Sequence, residues 1–120
     1  MEGVYIANCP IGAAGTANVP LFRVPTTHGG ITLLNAWIVS DSAATVTTWQ
    51  LNNNGTSLGT AISSTVGTLT QANGTLAADV LKAITISTAY QDAGTWLRWM
   101  NTAGATGSGA RVIIEYKYGK

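Results

Sequence analysis

Charged side chains are scarce in this chain. Asp, Glu, Lys and Arg together make up 9% of its 120 residues, whereas an ordinary soluble domain has roughly 25%. Thr, Ala and Gly fill most of the difference. A domain that is alone in solution covers its core with charged residues, so we expect much of this surface to be covered by neighbouring subunits.

The same scarcity removes most of the side chains that perform catalysis. The five acidic residues show no spacing that indicates a carboxylate pair. Asp41 and Asp92 stand in turn sequences, where an Asp side chain caps backbone amides. The single histidine, His28, lies in a Gly-rich turn, and no serine or cysteine motif accompanies it. The sequence therefore predicts a protein without enzymatic activity.

Metal ligands are missing too. Cys9 is the only cysteine, so an intrachain disulfide is impossible. One cysteine and one histidine cannot supply a closed zinc site, and no Asp-rich loop matches a calcium site. We expect no cofactor and no metal, and we expect Cys9 to be a small buried or half-buried thiol.

Neither a nucleic-acid partner nor a membrane is indicated. The net charge is +1, and the six basic residues form no stripe that could displace counterions from phosphates. No apolar run is long enough to span a membrane. The first residues lack the basic and long apolar regions of a signal peptide, which favours a protein made in a cytosol.

The length suits one domain, and the pattern changes near residue 30. Residues 1–30 are interrupted by Pro10, Pro20 and Pro25 together with several glycines, which leaves room only for short strands at 4–6 and 21–24. The segment is apolar and nearly uncharged, so we predict an extended N-terminal arm that lies on a surface, its own or a neighbour's.

Residues 31–120 are predicted to form an all-β domain. Residues 31–39 are dense in Ile, Leu, Val and Trp, which favours a strand buried on both faces. The run Asn-Asn-Asn-Gly at 52–55 is a strong hairpin signal. Further strands are predicted at 45–51, 58–62, 65–69, 83–88, 95–101 and 110–118, while 75–81 fits either a helical turn or a strand end. About eight short strands favour an antiparallel β-sandwich of the jelly-roll type.

Four tryptophans could form a sugar-stacking platform or belong to the core. Trp96 and Trp99 fall on opposite faces of one predicted strand, so they cannot form one platform. Trp37 and Trp49 lie in the two strongest predicted strands, where core burial is expected.

Four runs along the chain carry a family resemblance: GGITLLNAWIVSDSA, WQLNNNGTSLGTAIS, ITISTAYQDAGTWLRWMNTAGA and ARVIIEYKYG. In their order they resemble the decoration, or cement, proteins of tailed-bacteriophage heads, over roughly residues 29–118. The resemblance implies a β-sandwich on the outer surface of the virion, assembled in the host cytoplasm. It further implies binding to the major capsid protein, often as a homotrimer, without enzymatic activity.

The contacts with capsid and sister subunits are expected from the apolar arm and from the basic residues of the last strands. The residues that we single out are Val4, Tyr5, Ile6, Leu21, Phe22, Arg23, Arg98 and Lys117. The alternative is a carbohydrate-binding or adhesin-like sandwich of a virion, in which Trp96 or Trp99 would stack on a sugar.

Overall fold

A computed structural model describes residues 3–11, 18–45, 48–57, 64–70, 75–101 and 109–120. This part of the chain forms twelve β-strands and contains no helix, which confirms the predicted all-β class. The strands are β1 (Tyr5–Pro10), β2 (Asn18–Arg23), β3 (Ile31–Val39), β4 (Ala44–Thr45), β5 (Thr48–Asn53), β6 (Ser64–Thr70), β7 (Thr75–Leu76), β8 (Lys82–Ala83), β9 (Thr85–Ile86), β10 (Tyr90–Gln91), β11 (Trp96–Asn101) and β12 (Arg111–Tyr118).

Ten of the strands form two antiparallel sheets of five strands, and the sheets pack face to face around one core. Sheet A has the order β1-β12-β3, and both β10 and β8 pair with the far side of β3. Sheet B has the order β2-β11-β5-β6-β9. The remaining two strands, β4 and β7, pair with each other.

The strand pairs are nested along the chain. The pairs are β1 with β12, β2 with β11, β3 with β8 and β10, and β5 with β6. The first half of the chain therefore runs alongside the second half in reverse order, as in a long hairpin wrapped into two layers. This is the arrangement of a jelly roll. Predicted strands at 31–39, 65–69, 95–101 and 110–118 match β3, β6, β11 and β12, the predicted 83–88 is divided between β8 and β9, and β10 was not predicted.

The segment that we assigned to an N-terminal arm supplies one edge strand to each sheet. Strand β1 forms the edge of sheet A, and β2 forms the edge of sheet B. Proline lacks the N–H group that an interior strand needs, so it is confined to edges and strand ends. Pro10 at the end of β1 and Pro20 within β2 are consistent with these positions.

The core lies between the inner faces of the two sheets. Its largest fully buried side chains are Trp49, Trp99, Ile31, Ile38, Leu51, Leu76, Leu97 and Ile114. The rings of Trp49 and Trp99 meet edge to face, with their centroids 6.1 Å apart. Every second residue along β11 and β12, such as Leu97 and Trp99 or Val112 and Ile114, points into this core. The period of two in 95–101 and 110–118 predicted this alternation.

The prediction that β3 is buried on both faces is wrong. Ile38 is fully buried, whereas Trp37 and Val39 beside it are only half-buried. In a two-layer sandwich each sheet packs on one face only, so the second face of β3 stays on the outside. Trp37 therefore lies on the outer face of sheet A and is not part of the core.

A β-bulge interrupts the alternation of β3. Glu115 pairs with Asn35 and Tyr116 pairs with Leu33, so Leu34 is an extra residue without an opposite partner on β12. The extra residue of a bulge shifts the inward and outward alternation of a strand by one position. Two consecutive residues, Leu34 and Asn35, are therefore both exposed on the outer face.

Several predicted turns are confirmed. Residues 26–29 form a turn between β2 and β3, and Gly55 follows β5 with a φ of 69°. In the predicted turn at Asp92, the hydroxyl of Thr95 donates to the Asp92 carbonyl oxygen at 2.6 Å. The ambiguous segment 75–81 begins as strand β7 and continues into a turn. The predicted strand at 58–62 lies outside the described residues.

Candidate interaction surface

The exposed large apolar side chains all belong to strands of sheet A or to residues next to those strands. In the described part of the chain they are Val4, Tyr5, Ile6, Leu34, Val80 and Leu81. The first three are in or next to β1, Leu34 is on β3, and the last two directly precede β8, so all of them belong to sheet A or its ends. Ile6 is the most exposed, at 66%.

The outer face of sheet A continues this apolar surface inward from the edge. One cross-strand row places Asn8, Ile113, Trp37 and Ala83 side by side on four neighbouring strands. Ile113 and Trp37 are half-buried and Ala83 is exposed. Half-buried side chains of this size have further apolar area to bury against a partner.

The next row contains the single carboxylate of the sheet A strands. Ile6, Glu115 and Asn35 lie opposite one another, and the side-chain amide of Asn35 donates to Oε1 of Glu115 at 2.7 Å. The Glu115 carboxylate therefore keeps its hydrogen bond from Asn35 when a partner covers this face. That bond lowers the free-energy cost of removing the carboxylate from water.

The charges of sheet A are mainly basic. The strands of sheet A carry three basic residues, Lys82, Arg111 and Lys117, against one acid, Glu115. A further base, Lys120, follows β12. A partner surface that complements sheet A would therefore be apolar and mildly acidic.

The outer face of sheet B has a different character. Arg98, Asn52 and Thr65 form one cross-strand row. Two apolar side chains on β11, Trp96 and Met100, are half-buried, as Ile113 and Trp37 are on sheet A. Since no large apolar residue of sheet B is exposed in the described ranges, the two faces of the sandwich are chemically distinct.

An aromatic cluster fastens β1 to the rest of the sandwich. Tyr116 stacks with Tyr5 on β1 and with Phe22 on β2, in each case with ring centroids 5.8 Å apart. The ring of Tyr118 packs edge to face against that of Tyr5, with the centroids 5.1 Å apart. The centroid of the His28 ring lies 4.3 Å from that of Tyr118. Because Phe22 belongs to sheet B, the cluster links the edge strands of both sheets.

Burial in this cluster has an electrostatic effect. Removal from water, and next the charge of the neighbouring Tyr118, raise the pKa of the Tyr116 phenol above its ordinary value. Its ring contacts Tyr5 and Phe22, so the cluster joins β1, β2 and β12.

Four of the predicted contact residues lie close together. Val4, Tyr5 and Ile6 are exposed at the start of β1, and Tyr5 lies opposite Tyr116 in the sheet. Lys117, the next residue along β12, is exposed on the outer face. The structure thus gathers these four at one end of sheet A.

The other four predicted contact residues are divided. Leu21 and Phe22 pack partly against the core. Arg23 is exposed, and its Nε donates to the carbonyl oxygen of Gly94 at 3.0 Å. Arg98 lies on the outer face of sheet B. These residues do not belong to the apolar surface.

Sequence reasoning missed part of that surface. Leu34 and Trp37 were expected in a strand buried on both faces, and Val80 and Leu81 stood in the ambiguous segment. The two consecutive apolar residues at 33 and 34 were the available signal, because a regular strand cannot place both in the core.

The tryptophans do not form a sugar platform. Trp99 is 1% exposed and Trp49 is fully buried, so neither can touch a ligand. Trp96 is half-buried on the opposite face of β11, as predicted. The carbohydrate-binding alternative thereby loses one of the two residues on which it depended.

The chemistry of metal binding finds no support within the described residues. No group of three or more His, Cys, Asp and Glu side chains comes together there. The same ranges also hold no helix that could cross a membrane.

The Cys9 thiol is buried on the inner side of β1, as expected. Burial raises its pKa from 9.0 to about 11. Since the unfolded thiol ionises near pH 9 and the folded thiol does not, unfolding between pH 9 and 11 releases a proton. The free energy of unfolding should therefore fall as the pH rises through this window.

Guanidinium denaturation of the wild type and of Cys9→Ala between pH 8 and 11 measures this contribution. The variant lacks the titrating group, so its free energy of unfolding should decline less steeply above pH 9. Equal slopes in the two proteins would show that Cys9 titrates in the folded state as it does in the unfolded chain.

Three comparisons with known proteins were negative. No family model, no curated protein and no solved structure matches this chain. What the apolar surface binds must therefore be inferred from its own chemistry.

Proposed function

We propose that this chain is a virion structural protein, a decoration protein that binds the assembled head of a tailed bacteriophage through sheet A and stabilises it. The observation that carries the proposal is the placement of every exposed large apolar side chain of the described residues on the sheet A side. Exposed apolar side chains concentrated on one sheet are typical of protein–protein contact sites.

The polar character of sheet B supports the same orientation. With sheet A against the shell, the exposed Thr65 and the half-buried Arg98 of sheet B point away from it, while Asn52 between them is buried.

The mechanism is multivalent attachment. A subunit that touches several copies of the major capsid protein gains effective concentration at each further contact, so weak contacts add up to stable binding. The subunit stabilises the particle because it binds the assembled shell and not its dissociated parts. The location on the outer surface of the capsid, the homotrimeric state and the absence of catalysis belong to this proposal and are supported by the family resemblance.

A sedimentation experiment tests the proposal. Purified protein is mixed with shells assembled from the major capsid protein of the same genome and lacking decoration, and the pelleted fraction is measured. Wild-type protein should pellet with the shells and raise their melting temperature. Leu34→Asp places a charge in the apolar face and should weaken binding at least tenfold, which corresponds to about 1.4 kcal/mol.

The matched control is Thr65→Asp, an equally charged change at an exposed position on sheet B. It should bind like the wild type. Failure of the wild type to pellet would refute the proposed function, and equal binding by Leu34→Asp and the wild type would refute the assignment of sheet A.

A further inference from the structure

The edges of the two sheets differ in how well they are protected against pairing with another strand. At one side of the sandwich the outermost strands, β8, β9 and β10, are two residues long. At the other side, β2 has Pro20 in its interior, and its register with β11 shifts between Leu97 and Arg98. Very short strands, prolines and bulges are the devices by which proteins block edge-to-edge association.

Strand β1 has almost none of these features. It is six residues long, pairs with β12 in an unbroken register, and contains no charged side chain. Its single proline, Pro10, is the last residue of the strand. Four of its six residues are exposed, and in the described part of the chain no strand pairs with its outer edge.

We propose that β1 is a self-association edge: it pairs antiparallel with β1 of a second copy around a two-fold axis at Ile6. The two copies of sheet A then form one continuous ten-stranded sheet, since each sheet contributes five strands. An uncharged strand can pair with itself without bringing like charges together, which favours a second copy over a partner of opposite charge.

The position of the axis follows from the side chains. Pairing centred on Ile6 gives the cross-strand pairs Gly3–Cys9, Val4–Asn8, Tyr5–Ala7 and Ile6–Ile6. Each copy places its large Tyr5 ring opposite the small Ala7 of the other, and the most exposed apolar residue, Ile6, is buried against its own copy. Pro10, which cannot donate a ladder hydrogen bond, falls outside the paired segment.

This contact joins two copies of the chain and needs no capsid. Its test is therefore separate from the test of the proposed function. The two-fold dimer is the state proposed for the protein free in solution, whereas the homotrimer of the proposed function would form on the shell, so each state has its own test.

Light scattering coupled to size-exclusion chromatography tests the proposal on the full chain. The wild type should elute with twice the monomer mass of 12.4 kDa. Ile6→Lys places two ammonium groups at the axis and should shift the protein to the monomer mass. Val80→Lys, a similar change at another exposed apolar residue, should remain dimeric.

Cysteine cross-linking tests the register. In a Cys9→Ala background, Ile6→Cys should form a covalent dimer on mild oxidation, because residue 6 meets its own copy at the axis. Asn8→Cys should not, because its predicted neighbour is Val4 of the second copy. A wild-type monomer or trimer, a monomeric Val80→Lys, or efficient cross-linking of Asn8→Cys alone would each overturn the proposal.

Discussion

Replacing Trp99 with alanine is expected to lower the free energy of unfolding by about 3–5 kcal/mol. The Trp99 side chain is buried between the sheets and packs edge to face on Trp49. Its removal would leave a large cavity that the two packed sheets can fill only in part. Since domains have about 5–15 kcal/mol of stability in total, the variant should be mostly unfolded at temperatures that the wild type tolerates.

Trp96→Ala is the matched control for this prediction. Trp96 lies on the same strand but is half-buried on the outer face, so less packing is lost and the destabilisation should be under half as large. Urea denaturation followed by circular dichroism measures both values. Equal losses in the two variants would contradict the assignment of inner and outer faces of sheet B.

Gly30→Ala is expected to destabilise the fold by about 2–4 kcal/mol. Gly30 adopts a φ of 109°, a conformation that residues with a side chain rarely occupy. A Cβ atom there would also lie 2.7 Å from the carbonyl oxygen of Gln91 and against the ring of Tyr90. Backbone strain and the clash therefore act together.

The neighbouring Gly29 separates these two causes. It also has a positive φ, of 70°, but a Cβ atom there would meet nothing within 4 Å. Gly29→Ala should cost only the backbone strain, about 1 kcal/mol. Thermal unfolding of both variants provides the comparison, and a Gly30→Ala protein no less stable than Gly29→Ala would rule out close packing of Tyr90 on this turn.

The sequence predicted the fold class because local signals were sufficient for it. Alternation of apolar and polar residues along 95–101 and 110–118 indicated the strands that became β11 and β12. Asn and Gly at 52–55 indicated the turn after β5. These signals depend on the backbone preferences of neighbouring residues, which need no knowledge of the rest of the fold.

The placement of residues 1–30 depended on long-range pairing. Strand β1 is stabilised by β12 from the opposite end of the chain, through pairs such as Tyr5 with Tyr116. Proline-interrupted sequence is compatible with either an arm or an edge strand, so the local pattern could not choose between them.

The candidate surface was predictable only in part. The apolar, uncharged start of the chain singled out Val4, Tyr5 and Ile6, which are indeed exposed at a sheet edge. The consecutive apolar residues at 33 and 34 indicated that one of them faces outward, but the choice of Leu34 depends on the bulge opposite β12. Which residue a bulge expels depends on the register with the partner strand, and that register is absent from the local sequence.

An electron cryo-microscopy map of heads decorated with this chain tests the proposed orientation most directly. We predict density for the sandwich on the outer surface of the shell, with the sheet A face of Leu34 and Trp37 against the capsid and the sheet B row of Arg98 and Thr65 toward solvent. Density with sheet B against the shell, or heads without added density, would contradict it.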